Sequence, residues 1–182
     1  MFFALWPDAS VATRLDQAGL SAYEQCGGRR MDRDTLHLTL AFIGEVSPMQ
    51  LETLKGLAAT VAGVPFELVL DRLDWVRGKR IVWAGCNVLP PPLAQLAASL
   101  AEKLREGGFR VEERPFAAHV TLLRKAGPPR ASLTLPQVRW PAEDFVLVES
   151  NLNSDGARYS VIGRWPLGAP APLAGAGGGD YR

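Results

Sequence analysis

The chain has 182 residues, 20 Lys and Arg against 19 Asp and Glu, and 47% hydrophobic residues, enough to bury a sizeable core without a staple. Its net charge of +1 excludes the broad basic field with which groove-tracking proteins collect phosphates, so a nucleic-acid ligand would be gripped at one point. Cys26 and Cys86 form no C-x-x-C pair and have no H-x-x-x-H partner, which leaves neither a zinc site nor a disulfide framework to expect.

The opening Met1-Phe2-Phe3-Ala4-Leu5-Trp6 is apolar but is stopped by Pro7-Asp8. It is too short for a signal peptide or a membrane span and reads as the first strand of a cytoplasmic protein. Asp8 then caps a helix whose apolar positions are Val11, Leu15 and Leu20, ending before Gly27-Gly28. Leu36 to Ile43 alternates with a period near two and stops at Gly44, as a strand does. Ser47-Pro48 starts a second helix with Leu51, Leu54, Leu57, Ala58 and Val61 on one face, up to Gly63. Phe66–Val76 and Arg80–Cys86 are two strands of a hairpin turning at Gly78. Leu93, Leu96, Leu100 and Leu104 mark a third helix, closed by Gly107-Gly108.

Phe116–Leu123, Phe145–Leu152 and Tyr159–Trp165 supply further strands, the last two joined at Ser154-Asp155-Gly156. Helices interleave with strands early and strands dominate late, which is the pattern of an α+β fold with antiparallel sheets. Residues 1–167 form one domain; 168–182, rich in Gly, Ala and Pro, read as a disordered tail.

Only two histidines occur, and both stand in the same tetrad: His37-Leu38-Thr39-Leu40 and His119-Val120-Thr121-Leu122. By chance that coincidence would arise less than about once in a thousand. In a strand, residues i and i+2 share a face, so each imidazole projects with its threonine hydroxyl while the residue between them enters the core. The pair reads as a duplicated half-site facing one cleft. Two imidazoles titrating near neutrality permit one to accept a proton while the other donates one. Two hydroxyls suit the non-bridging oxygens of a phosphoryl group. Two histidines on separate strands, with no Asp, Glu or Cys spaced to join them, make a poor metal site, so no metal and no other cofactor is expected.

The sequence at this point resembles the two-histidine phosphoesterases, specifically the RNA 2′,3′-cyclic phosphodiesterases also called 2′-5′ RNA ligases. The resemblance runs through Met1–Leu5, Leu36–Val46, Arg114–Arg124, Val148-Glu149-Ser150 and Asp155–Tyr159. It implies a bilobal α+β fold with pseudo-twofold symmetry, two antiparallel sheets flanked by helices, and a central cleft. It also implies metal-free opening of a terminal 2′,3′-cyclic phosphate to a 2′-phosphate, with reversible 2′-5′ ligation. The substrates would be RNA ends or oligonucleotides bearing that cyclic phosphate, handled by a monomer away from any membrane. By this likeness His119 is the base and His37 the acid, although the tetrads themselves are interchangeable.

Phe42 and Arg124 each follow their histidine by five residues. Strict alternation turns them away from the histidines, whereas a twist or bulge at the strand end would bring them back. The resemblance implies that Phe42 stacks on a base and Arg124 contacts phosphate; a core phenylalanine and a surface ion pair are the competing readings. Trp75, Trp83, Trp140 and Trp165 read as core or cleft wall. Arg77, Lys79 and Arg80 form either a solvated hairpin tip or a grip on an RNA backbone. Two other functions use the same four tetrad residues: a phosphodiesterase of small cyclic nucleotides or 2′,5′-oligonucleotides, and a nucleotide-binding module without turnover.

Overall fold

A computed structural model describes residues 1–153 and 156–168. Ser154 and Asp155 of the expected turn, and the tail beyond residue 168, lie outside the described residues. In chain order the elements are β1 (Phe2–Leu5), α1 (Ala9–Cys26), β2 (Arg29–Arg30), a 3-10 turn (Arg33–Thr35), β3 (Leu38–Phe42), α2 (Pro48–Ala59) and β4 (Phe66–Leu70). There follow β5 (Arg72–Val76), β6 (Ile81–Gly85), α3 (Pro91–Glu106), β7 (His119–Arg124), β8 (Val138–Ala142), β9 (Asp144–Asn153) and β10 (Gly156–Pro166).

The helices begin and end where their local chemistry dictates. The Asp8 carboxylate accepts from Val11 N at 2.8 Å, and Gly27, at φ 59°, closes α1 by donating to Tyr23 O. Val11, Leu15, Ala18 and Ala22 face the core, whereas Leu20 is exposed. At 100° per residue Leu20 lies roughly 140° from Leu15, so its place on the expected core face is corrected. Ser47 and Gln50 exchange hydrogen bonds in a capping box with Pro48 in the first turn of α2. In α3, Leu93, Leu96, Leu100 and Leu104 are all fully buried.

The strands form an antiparallel sheet ordered β10-β9-β1-β3-β7-β6-β5, with β2 paired to β7, and a two-stranded sheet β4-β8. The large sheet consists of two halves, because β3 and β7 meet at one registered pair, Leu38 opposite Val120. On each side of that pair the halves are built alike. β1 and β3 flank α1 in sequence and pair with each other; β6 and β7 flank α3 and do the same. Each helix crosses over: α1 packs on β7 and β8, and α3 on β3 and β4. The two lobes are thus bound by exchanged helices as well as by the central pair.

Phe66–Val76, expected as one strand, is two. At Asp71 the chain turns a corner, its N–H donating to Gly85 O and its carboxylate accepting from Asn87 N at 2.8 Å, so β4 leaves the large sheet to pair with β8. The β8 strand escaped sequence reading because Pro141 interrupts it. It lies at the edge of its small sheet, where a proline is tolerated. No described helix is long and apolar enough to cross a membrane.

Candidate active site

The tetrads lie on the two innermost strands, β3 and β7. With Leu38 opposite Val120 in an antiparallel pair, His37 falls beside Thr121 and Thr39 beside His119. Leu38 and Val120 are fully buried, and the four polar residues flank them on the opposite face.

Both strands carry the same irregularity. In β3 the register against β1 jumps from Phe3–Ala41 to Ala4–Thr39, leaving Leu40 unpaired. In β7 it jumps against β6 from Val82–Leu123 to Trp83–Thr121, leaving Leu122 unpaired. The extra residue is therefore the fourth member of each tetrad, and each bulge inverts the alternation beyond it. Leu40 and Ala41 are both buried, as are Leu122 and Leu123, and the next residues, Phe42 and Arg124, return to the histidine face.

A cleft of about 250 Å³ is lined by His37, Thr39, Phe42, His119, Thr121 and Arg124 together with Phe2, Met31, Thr35, Ser150 and Tyr159. All six residues singled out in the sequence thus border one cavity. Phe42 is 62% exposed, which removes the core reading and leaves its ring open at the rim. Arg124 has no ion-pair partner among the described residues, so its charge is free for an anion. Lys125, the next residue, ends the strand at φ 56° and does not line the cleft.

Each imidazole is held the same way. His37 Nδ1 lies 2.7 Å from Thr35 O, and His119 Nδ1 lies 2.7 Å from Ala117 O. A carbonyl only accepts, so each Nδ1 carries the proton and donates it. That leaves Nε2 of both rings for chemistry in the cleft.

The rings' surroundings differ. His37 stacks on Phe2 and on Trp6, with centroids 4.7 and 5.5 Å away, and Tyr159 meets it edge-on at 5.4 Å. Phe2 and Ala4 share a face of β1, which Trp6 continues just past the strand; Ala4 lies opposite Thr39, and the two aromatic rings stack on His37. In the other lobe the order is reversed: Gly85 lies opposite His119 and Trp83 opposite Thr121. Trp83 reaches over Gly85, where an added Cβ would run into its ring. That ring meets His119 at 5.4 Å while Arg72 covers it at 5.2 Å.

Burial pushes the His37 pKa below its usual value, opposed by its bond to Thr35 O and reinforced by the charges of Arg124 and His119. A depressed folded-state pKa gives stability that is present above the unfolded value of about 6.5 and lost as pH falls through the folded value. His37→Gln removes this dependence. The stability margin of the wild type over the variant, measured by denaturant melts, should therefore shrink as pH drops from about 6.5 towards 5. A margin constant across that window would contradict the desolvated imidazole.

Sequence reading missed Trp6 and assigned no role to Phe2, Met31, Thr35 or Tyr159. Alternation on β1 was the signal that could have found Phe2 and Trp6; Met31 and Thr35 lie just ahead of His37 in the chain, and Tyr159 arrives from a remote strand. Trp140 is core, 2% exposed, whereas Trp83 is half-buried behind His119 and does not line the cleft. The Arg77–Arg80 run is a hairpin tip in which Arg80 Nη2 bonds Lys125 O at 3.4 Å. Among the described residues no three His, Cys, Asp or Glu side chains gather as a metal-binding group.

Known proteins share this architecture. The family model described as 2′-5′ RNA ligase superfamily matches residues 7–153. The RNA 2′,3′-cyclic phosphodiesterase of Escherichia coli is 34% identical over 170 residues, 92% of this chain and 96% of the relative. That of Thermus thermophilus is 29% identical over 177 residues, covering 92% and 89%. The crystal structure of E. coli LigT complexed with 3′-AMP superimposes with a TM-score of 0.80 at 32% identity, covering 92% of this chain and 97% of that one. The MHV ns2 PDE domain, 13% identical with a TM-score of 0.57 over 88% of this chain and 98% of its own, shares the fold alone.

Proposed function

The chain belongs to the 2′-5′ RNA ligase superfamily, and from that premise we propose that it is an RNA 2′,3′-cyclic phosphodiesterase working by acid–base catalysis between His37 and His119. The observation that carries the reading is the paired tether: two imidazoles, each fixed through Nδ1 to the carbonyl two residues back, present Nε2 to one cleft.

In this mechanism His119 Nε2 takes a proton from water, and the oxygen bonds to phosphorus. The P–O3′ bond breaks, and His37 Nε2 delivers its proton to the departing 3′-oxygen, leaving a 2′-phosphate and a 3′-hydroxyl. Thr39 and Thr121 donate to the non-bridging oxygens, and Arg124 balances the charge gathered on them. Phe42 offers a stacking face to the terminal base. Burial suits His37 to the acid role, because an imidazolium of lowered pKa is the stronger acid; the bound diester anion offsets the repulsion from Arg124 and helps the ring to hold its proton. We take the enzyme to act as a monomer in the cytoplasm; in support of the first, one chain supplies every group named.

The test is product analysis on a short RNA ending in a 2′,3′-cyclic phosphate, in excess chelator. The expected outcome is undiminished hydrolysis to a 2′-phosphomonoester, identified by phosphorus NMR. A 3′-phosphate would reverse the assigned leaving oxygen, and activity lost to chelator but restored by zinc or manganese would replace the mechanism.

A further inference from the structure

Because β3 and β7 pair at Leu38–Val120 and then diverge, a fissure opens between the outer half of β3 and the segment leading into β7, with α3 beneath it. Its volume is about 690 Å³. It meets the catalytic cleft at Thr39, Phe42 and His119, whereas His37 borders the cleft but not the fissure. We propose that this fissure is the acceptor subsite, holding the nucleoside whose 5′-hydroxyl takes the place of water when a 2′–5′ linkage is formed. The inference rests on His119 being the base.

In an in-line displacement the nucleophile and the leaving oxygen lie on opposite sides of phosphorus, each next to its own proton-transfer group. The species that His119 deprotonates therefore enters from the side of His119, which is the fissure. A water needs only about 30 Å³, while small-molecule sites run from roughly 300 to 1,000 Å³, so the space suits a nucleoside.

Its chemistry suits one too. Phe116 stands with Ala94, Ala98 and Ala101 of α3 along it, offering flat apolar surface to a base. Lys79 and Arg105 also line it and have no ion-pair partner among the described residues, whereas Arg114 is paired with Glu112. Two free cations suit the phosphate that follows the acceptor nucleoside. Ligation then balances as hydrolysis does: His119 removes the 5′-hydroxyl proton, O5′ bonds to phosphorus, P–O3′ breaks, and His37 protonates O3′. In reverse the 3′-hydroxyl attacks, and O5′ leaves with a proton from His119.

Ala98 is exposed on α3, so Ala98→Trp fills the fissure without entering the core. Two substrates separate the subsites. A 2′,3′-cyclic mononucleotide occupies the catalytic cleft alone, and a 2′–5′-linked dinucleoside monophosphate occupies both. The variant should hydrolyse the first within about twofold of wild type and cleave the second about tenfold less efficiently or worse, through KM. Lys79→Glu with Arg105→Glu should weaken joining of an acceptor oligonucleotide while sparing the dinucleoside monophosphate. The inference is overturned if Ala98→Trp leaves both reactions unchanged or lowers them in parallel, or if the wild type opens the cyclic phosphate but leaves 2′–5′ substrates untouched. A wild type inert on the cyclic phosphate would instead overturn the proposed function.

Discussion

Replacing either His37 or His119 by alanine should lower turnover of a 2′,3′-cyclic phosphate by about 10² to 10⁴, the usual contribution of one proton-transfer group. The double variant should be little worse than the poorer single, because groups acting in one concerted transfer are strongly non-additive. Thr39→Ala or Thr121→Ala removes one hydrogen-bond donor and keeps both proton carriers, so its loss should be smaller, about 10 to 10³. Wild-type turnover should follow a bell-shaped pH profile whose two limbs belong to the pair, since the proposed mechanism needs a single proton shared between the imidazoles. Single-turnover rates of the four variants and the double, across pH, check this. Near-normal turnover in His37→Ala with both limbs intact would rule out a two-imidazole mechanism and turn the cleft into a binding site.

Gly28→Ala should destabilise the fold more than any other substitution of a surface glycine near the cleft. At φ +94° a Cβ would stand 2.6 Å from Arg124 O and 2.9 Å from the backbone of Ala126, where neither neighbour is a movable side-chain end. The added strain and overlap should cost about 2 to 4 kcal/mol. For a domain of this size that corresponds to a fall of roughly 5 to 15 °C in Tm. Gly27 supplies the control, because its φ is +59° but nothing lies within 4 Å of the place a methyl group would take. Gly27→Ala should lose less, about 1 to 2 kcal/mol, from conformation alone. Since Gly28 abuts β7 where Arg124 stands, its variant should also raise KM for the cyclic phosphate. Equal melting temperatures for the two alanine variants would show that the close backbone approach does not matter.

Local chemistry made much of this protein legible from sequence. The caps at Asp8 and Ser47, the leucine period of α3 and the glycines after α1 and α3 each act over a few residues. So does the alternation that put each histidine and its threonine on one face. The repeated tetrad pointed to two equivalent half-sites without any knowledge of strand order. Their convergence is a tertiary matter: β3 and β7 lie about eighty positions apart in the chain, and only their pairing through Leu38 and Val120 joins the half-sites. The same holds for the side on which Phe42 and Arg124 emerge. Their parity depends on bulges at Leu40 and Leu122, and a bulge is a mismatch against a partner strand, absent from either strand's own pattern. Two nearly identical tetrads also receive unequal environments, His37 between Phe2 and Trp6 and His119 against Trp83. That inequality comes from the neighbouring strands β1 and β6, which place small and aromatic residues in opposite order. Sequence alone therefore determined which groups are the candidates for the chemistry; packing between distant segments decided where they meet and how they differ.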